Sequence, residues 1–215
     1  MKIYRFIQYY KVQILKETFI SDSDSEFTET AKIFFYDINN NLIETKKYGI
    51  INVDLIYHKI LNQEAIDVSR CYIKNFSLSQ YRKLNDLPAN EKINLIDFTA
   101  VDSIFESDKV IDFSLSNFIG SKVDFSNTHF GLGNLSFQKA EFGDFKVLFK
   151  GTSYSEGNNT FQYARFNNGN VNFDNSTFEN GNLSFVNTYF GDGNSSFKNI
   201  HFGNGDVSFA FSTFN

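Results

Sequence analysis

Few side chains in this sequence could make or break bonds, and their spacing limits what they could do. The 215 residues include three histidines, His58, His129 and His201, and one cysteine, Cys71. His129 and His201 share a repeat phase described below but stand 72 residues apart. On a stack of 24-residue coils that is roughly 14 Å along the axis, too far to share one metal at ~2.1 Å ligand distances. They read as surface spacers. A lone cysteine builds neither a disulfide framework nor a multi-cysteine zinc site, and Cys71 falls in a small-residue slot, so it reads as a buried packing thiol. The run Asp22-Ser23-Asp24-Ser25-Glu26 invites calcium but lacks the glycine and glutamate that complete an EF-hand loop; it reads as a solvated acidic loop. Carboxylates from Asp112 to Asp206 occupy scattered repeat phases and form no pair suited to glycoside cleavage. Gly-Asn-Gly pieces lack the strand-to-helix setting of a phosphate loop. The expectation is no catalytic residue, no cofactor and no metal.

What would position any functional group is set by composition and repeat. There are 27 Phe and 11 Tyr but no Trp, one Pro and one Met, and the net charge is −5. A single Pro excludes Pro-rich and collagen-like classes. The mild acidity argues against direct nucleic-acid binding. No apolar run approaches the length of a membrane span, and Met1 to Lys16 lacks a signal-peptide core, so the expected address is cytoplasmic, with leaderless secretion left open.

The phenylalanines keep a strict beat. From Phe113 to Phe214 an aromatic residue recurs at alternating steps of five and seven through nine 12-residue units, and only Tyr154 replaces Phe. Two residues before the first Phe of most units stands Val, Leu or Ile, as at Ile111, Val123 and Leu135. Two before the second stands a small residue, as at Ser116, Thr128 and Ala140. Gly follows three later in most units, usually ahead of Asn or Asp. Val-x-Phe is a period-two strand element with both residues on one face, and Gly-Asn is turn chemistry. Short strands joined by regular turns at a fixed period form a β-solenoid. A 12-residue coil would have to hold two Phe and a Val in a flattened tube, whereas a four-sided coil of 24 residues has room for about four Phe and two Val or Leu. Volume therefore favours 24.

Ala140-x-Phe142, Ala164-x-Phe166 and Ser176-x-Phe178 resemble the pentapeptide-repeat proteins, whose unit places a small residue two before a central Leu or Phe. The resemblance covers about half the chain and departs from the family in the seven-residue step carrying Gly-Asn-Val-x-Phe. It implies a right-handed quadrilateral β-helix. Some members mimic DNA and bind gyrase, which would need a strongly negative surface. Residues 111–215 hold nine Asp or Glu against six Lys or Arg, a weak field.

The remainder divides into a capping α+β segment at 1–64 and irregular first coils at 65–110, ahead of the regular solenoid at 111–215. In the cap, Lys2–Leu15, Lys32–Tyr36 and Leu42–Lys47 read as strands, and Asp54 as the N-cap of a short helix near 54–62. The cap is expected to cover the N-terminal edge, because open strand edges are aggregation hazards. In the irregular coils, Ile66-x-Val68, Cys71-x-Ile73, Phe76-x-Leu78, Ile96-x-Phe98 and Ser103-x-Phe105 imitate the repeat. A helical insertion near 79–92, ended before Pro88, is expected to project sideways.

Outward positions predict a hydroxyl row (Ser136, Thr160, Ser184, Ser208) and an amide row (Asn134, Asn158, Asn182, Asp206). Phe145, Leu148, Tyr163, Tyr189 and Phe211 break the polar rule and are the candidate partner surface. The favoured expectation is a non-enzymatic scaffold that binds a protein partner through its rigid surface and forms a homodimer through the C-terminal coil. The alternatives are a stem or N-terminal module of a larger secreted or toxin-like assembly, and the gyrase-binding DNA mimic.

Overall fold

The computed structural model describes residues 7, 9–21, 25–154 and 157–215. It is an all-β solenoid of about seven turns, and pairing across its regular part falls 24 residues apart on four sides. On the first side Val110–Asp112 pairs in parallel with Asn134–Ser136, then Asn159–Thr160, Leu183–Ser184 and Val207–Ser208. The second side runs through Ser116–Ile119 and Glu141–Phe142 to bridges at Arg165, Tyr189 and Thr213. Val123–Asp124, Val147–Leu148, Val171–Asn172 and Ser195–Ser196 make the third. His129–Phe130, Ser153–Tyr154, Thr177–Phe178 and His201–Phe202 make the fourth. The 24-residue coil expected from side-chain volume is the one observed.

Inside, rings stack on their equivalents one coil away. Phe113, Phe137, Phe161, Phe185 and Phe209 form a column with centroids 4.8–5.0 Å apart and planes within 17°. Columns on neighbouring sides meet edge-on, as between Phe137 and Phe149 at 84°. Parallel stacking along the axis and T-shaped contact across it are both favourable, at ~0.5–1.5 kcal/mol per pair beyond area burial. Only small side chains fit beside these rings, and most of their hydroxyls are satisfied internally. Thr152 Oγ1 donates to Phe149 O at 2.7 Å, Ser176 Oγ to the same carbonyl at 2.8 Å, and Thr188 Oγ1 to Phe161 O at 2.7 Å.

Outside, the amide row ties coil to coil. Asn134 Oδ1 accepts from Asn158 N, and Asn182 Oδ1 from Asp206 N, each at 2.9 Å. Asn170 and Asn180 do the same for Asn194 and Asn204. The hydroxyl row Ser136–Thr160–Ser184–Ser208 stacks as expected.

The irregular coils depart from the expected register. Strand β6 (Ile93–Thr99 in chain order after the strands below) pairs Asp124 with Thr99 and Phe118 with Leu95. Phe98 therefore stands opposite Val123, and Ala100 continues toward the Phe125 position, where its N–H bonds Asp124 O. By backbone register the Val-x-Phe slot holds Phe98-x-Ala100 rather than Ile96-x-Phe98, although the Phe98 ring still packs on Phe125 at 5.2 Å, as the Ile96-x-Phe98 reading has it; Ile96 is half-buried. The cause is a corner at Asp97, with φ of 44°, across which this coil is two residues shorter than the next: pairing falls 23 residues apart between Leu95 and Phe118 and 25 apart between Thr99 and Asp124. Its carboxylate accepts from the N–H and hydroxyl of Ser121 on the next coil, which holds its pKa below the usual carboxylate range.

Strands β1 (Tyr9–Leu15), β2 (Thr30–Tyr36) and β3 (Leu42–Ile51) form an antiparallel sheet. Residues 2–6 and 8 of the expected first strand lie outside the described residues. The end of β3 pairs in parallel with β5 (Cys71–Lys74), joining the sheet to the fourth side; β4 (Ala65–Asp67) pairs with β6 on the third. Helix α1 (Val53–Leu61) is capped by Asn52, whose side chain accepts from Asp54 N, rather than by Asp54. Its Ile56, Tyr57 and Ile60 belong to the solenoid core. Helix α2 (Leu78–Leu84) does not project. Leu78, Tyr81 and Arg82 are buried, and Tyr81 packs edge-on to Tyr57 at 5.4 Å. The Arg82 guanidinium donates to Ser114 O at 3.2 Å and Glu91 O at 3.3 Å. A helix with two apolar anchors and a satisfied buried cation belongs to the core, and α1 and α2 together close the N-terminal end of the lumen.

Two substitutions test this packing by chemical denaturation. Phe173→Ala removes a ring stacked on Phe149 at 4.8 Å and Phe197 at 5.1 Å and is expected to cost about 3–5 kcal/mol. Ser195→Val puts the usual apolar residue beside Val171 and removes a buried hydroxyl without a hydrogen-bond partner; stability is expected to rise by about 1 kcal/mol.

Candidate functional site

The outer face of the fourth side differs most from the plain repeat. The β1–β3 sheet curls over it rather than only covering the end of the stack, because it has an apolar face to bury. Ala31, Ile33, Phe35 and Tyr48 pack with Tyr72 and Ile104 in a second core outside the lumen. Tyr72 and Tyr10 both donate to Glu106 Oε2, at 2.6 and 3.1 Å. His129 lies beneath this cover. It is buried, edge-on to Tyr10 at 5.0 Å and Phe35 at 6.3 Å, so it is not a surface spacer. His201, three strands further along the same row, is exposed.

The neighbourhood of His129 places a serine and a histidine together without making a nucleophile. His129 Nδ1 and Ser153 Oγ share a hydrogen bond of 2.5 Å. Nε2 is buried and has no hydrogen-bond partner, so no carboxylate orients the ring as an acyl-transfer dyad requires. Burial lowers the imidazole to a pKa of about 4, well below the range of a base useful near neutrality. Clefts of about 480 and 660 Å³ flank this covered ring. The larger is lined by Glu44, Lys46, Tyr48, Asp102, Ser153 and Thr177 among others. Lys46 bridges to Asp102 at 2.9 Å, so its charge is already partnered.

The other candidates resolve into structural parts. Cys71 is buried, and burial, with Asp67 adding to it, pushes its thiol up to about 12; it is a packing thiol. His58 is on α1, beside Asn62. Of the acidic run at 22–26, residues 22–24 lie outside the described residues. Among the described residues no group of three or more His, Cys, Asp or Glu could hold a metal. A third cleft, about 760 Å³, runs along the first side beside α2. Burial alone would raise its Asp112, but hydrogen bonds from Ser114 and Ser79 hold the carboxyl below its ordinary value. That carboxylate caps the Ser77–Ser79 turn and is structural.

The five candidate surface residues separate. Phe145 is half-buried against the core, its ring over Gly143. Leu148 is half-buried on the third side between Asp124 and Asn172. Tyr189 carries Arg165 over its ring at 4.9 Å, and its hydroxyl accepts from Asn215 Nδ2 at 3.0 Å. Tyr163 and Phe211 remain open, at 50% and 83% exposure. Sequence reading missed the covered face, although alternation in Thr30–Tyr36 marks a strand with one apolar face to bury.

Comparisons with protein-family models, curated proteins and solved structures return no match for this chain. The geometry alone therefore carries any functional reading. Among the described residues no helix is long and apolar enough to cross a membrane.

The buried imidazole gives a pH test. Its pKa is lowered from 6.5 to about 4 on folding, so the neutral form is favoured in the folded state. The stability it contributes is complete above about pH 6.5 and is lost as pH falls toward 4, by about 3 kcal/mol in all. His129→Phe is expected to flatten the denaturation midpoint over that window; an unchanged pH profile would count against the covered position.

Proposed function

We propose that this protein is a non-catalytic scaffold whose rigid solenoid presents binding surfaces and whose C-terminal face joins two copies. The observation that carries the second part is a contrast between equivalent positions one coil apart. Leu183, Phe178 and Phe190 are 1–2% exposed or fully buried, whereas Val207, Phe202 and Phe214 are 40%, 42% and 53% exposed. The same apolar rungs that form the core become surface on the last described coil, beside unpaired strand edges. What covers such a face must offer apolar rungs and strand edges on a matching four-sided outline, and a second copy does so. The N-terminal end is closed by α1 and α2, so the C-terminal face of one copy meets only the C-terminal face of another. That contact is isologous and closes as a two-fold dimer rather than a fibre.

The scaffold part rests on the large periodic outer surface that the stacked lumen holds rigid. A protein partner is the occupant proposed for it. The near balance of acidic and basic residues along the regular coils lends the gyrase-binding DNA mimic little support. Further coils of a larger assembly would satisfy the C-terminal face as well as a dimer does.

Light scattering on the full chain at tens of micromolar is expected to give the dimer mass. The double variant Val207→Lys, Phe214→Lys is expected to give the monomer with an unchanged far-ultraviolet spectrum. A strict monomer for the parent chain sinks the dimer and leaves the longer-assembly reading standing.

A further inference from the structure

Two corners of the coil adopt left-handed backbone in every regular turn, and the sequence treats them differently. At the corner between the third and fourth sides stand Asn127, Gly151, Asn175 and Asn199, with φ of 54–68°. Asn and Gly are the residues that tolerate this conformation. At the corner between the first and second sides stand Leu115, Lys139, Tyr163, Asn187 and Phe211, with φ of 56–60°. A bulky side chain there is an outlier, and strained backbone of this kind clusters where a site uses it. Neither Tyr163 nor Phe211 recovers the strain through burial, at 50% and 83% exposure. Single exposed aromatics are ordinary on protein surfaces; two in one strained row, where the opposite corner uses Asn or Gly, are not.

Their spacing suggests what they bind. Tyr163 and Phe211 are 48 residues apart, two coils, or roughly 10 Å along the edge at about 4.8 Å per strand. In a β-1,4-linked glycan successive pyranose rings turn over, so every second ring presents the same face, and that two-ring repeat has nearly the same length. Aromatic rings accept the C–H-rich face of a sugar, and Asn187, on the coil between them, offers an amide donor and acceptor to the intervening ring. Arg165 and Tyr189, stacked on each other at 4.9 Å, lie on the second side and are not part of the corner row. We propose that this corner is a binding edge for an extended β-1,4-linked glycan, with Tyr163 and Phe211 as platforms for alternate sugar rings. The inference goes beyond the scaffold reading and does not depend on the dimer.

The test is calorimetric titration of the full chain with chitohexaose and cellohexaose, and with chitobiose and cellobiose as short probes. At least one hexasaccharide is expected to bind, and its disaccharide at least about tenfold more weakly, because two sugars cannot reach both platforms. The informative variants are Tyr163→Asn and Phe211→Asn, which install the residue used at the opposite corner. Each is expected to weaken hexasaccharide binding at least about tenfold while raising the melting midpoint, an opposition that a merely structural role would not produce. Tyr189→Ala is expected to leave binding within about twofold of the parent. Light scattering on Tyr163→Asn, two coils from the C-terminal face, reads the dimer separately. No binding of either hexasaccharide, equal binding of the disaccharides, or parent-like binding by both Asn variants overturns the proposal; capture of a polypeptide at this edge with no glycan binding would assign it to a protein partner instead.

Discussion

The rings of successive coils must lie face to face at the strand spacing, and most of the architecture follows from that demand. A column such as Phe118–Phe142–Phe166–Phe190–Phe214 has centroids 4.4–5.2 Å apart, close to the ~4.8 Å between paired strands. Backbone pairing and ring stacking therefore share one period. A coil one residue longer or shorter would break both at once, which is why the regular coils admit no insertion. Edge-to-face contact between columns fixes the orientation of each ring relative to the next side. The residues two before half of the rings are then small in all but the Ile200 case, and hydroxyls such as those of Thr152, Ser176 and Thr188 find carbonyls inside.

Much of this was legible because the constraint writes itself into the sequence. The 5–7 beat, the small-residue slots and the volume that forces 24 residues per coil are properties of single units, repeated until chance is excluded. Long-range contacts leave fainter marks. That His129 is covered depends on a sheet formed far earlier in the chain, between Tyr9 and Ile51, folding back over the fourth side, and at position 129 the repeat itself specifies only an outward residue. The register at Phe98 was misread because Asp97 turns a corner that no glycine announces. Helix α2 is expected to project because residues 79–92 leave the repeat pattern; the carbonyl partners of Arg82 at Ser114 and Glu91, which tie it down, are visible only in three dimensions. Of the candidate surface, exposure at Tyr163 and Phe211 was legible, whereas the inward lean of Phe145 over Gly143 was not.

A repeat this regular makes its exceptions informative. At the ring positions of the lumen the departure is conservative, as with Tyr154 between Phe130 and Phe178, whereas the Val slot also admits Asn159 and Ser195. On the outside exceptions fall in particular places: the sheet over the fourth side, the helices at the N-terminal end and the bulky corner between the first and second sides. The lumen supplies rigidity, and the exterior is where one copy of the repeat can differ from the next without disturbing the stack. Function in such a molecule is written in the residues the repeat leaves free.

The side-chain bonds between coils also have a direction. At Asn134, Asp144, Asn170, Asn180 and Asn182 the accepting oxygen sits on the earlier coil and the donating N–H on the later one, and Asp97 and Asp174 repeat the arrangement toward Ser121 and Lys198. Each of these finished turns thus offers a ready acceptor to a turn not yet laid down, although Ser79 N and Gln162 Nε2 donate the other way, to Asp112 and Ser184 on later coils. A chain emerging from the ribosome N-terminus first completes the plugged end, and each new coil then lands on a surface already shaped to receive its backbone.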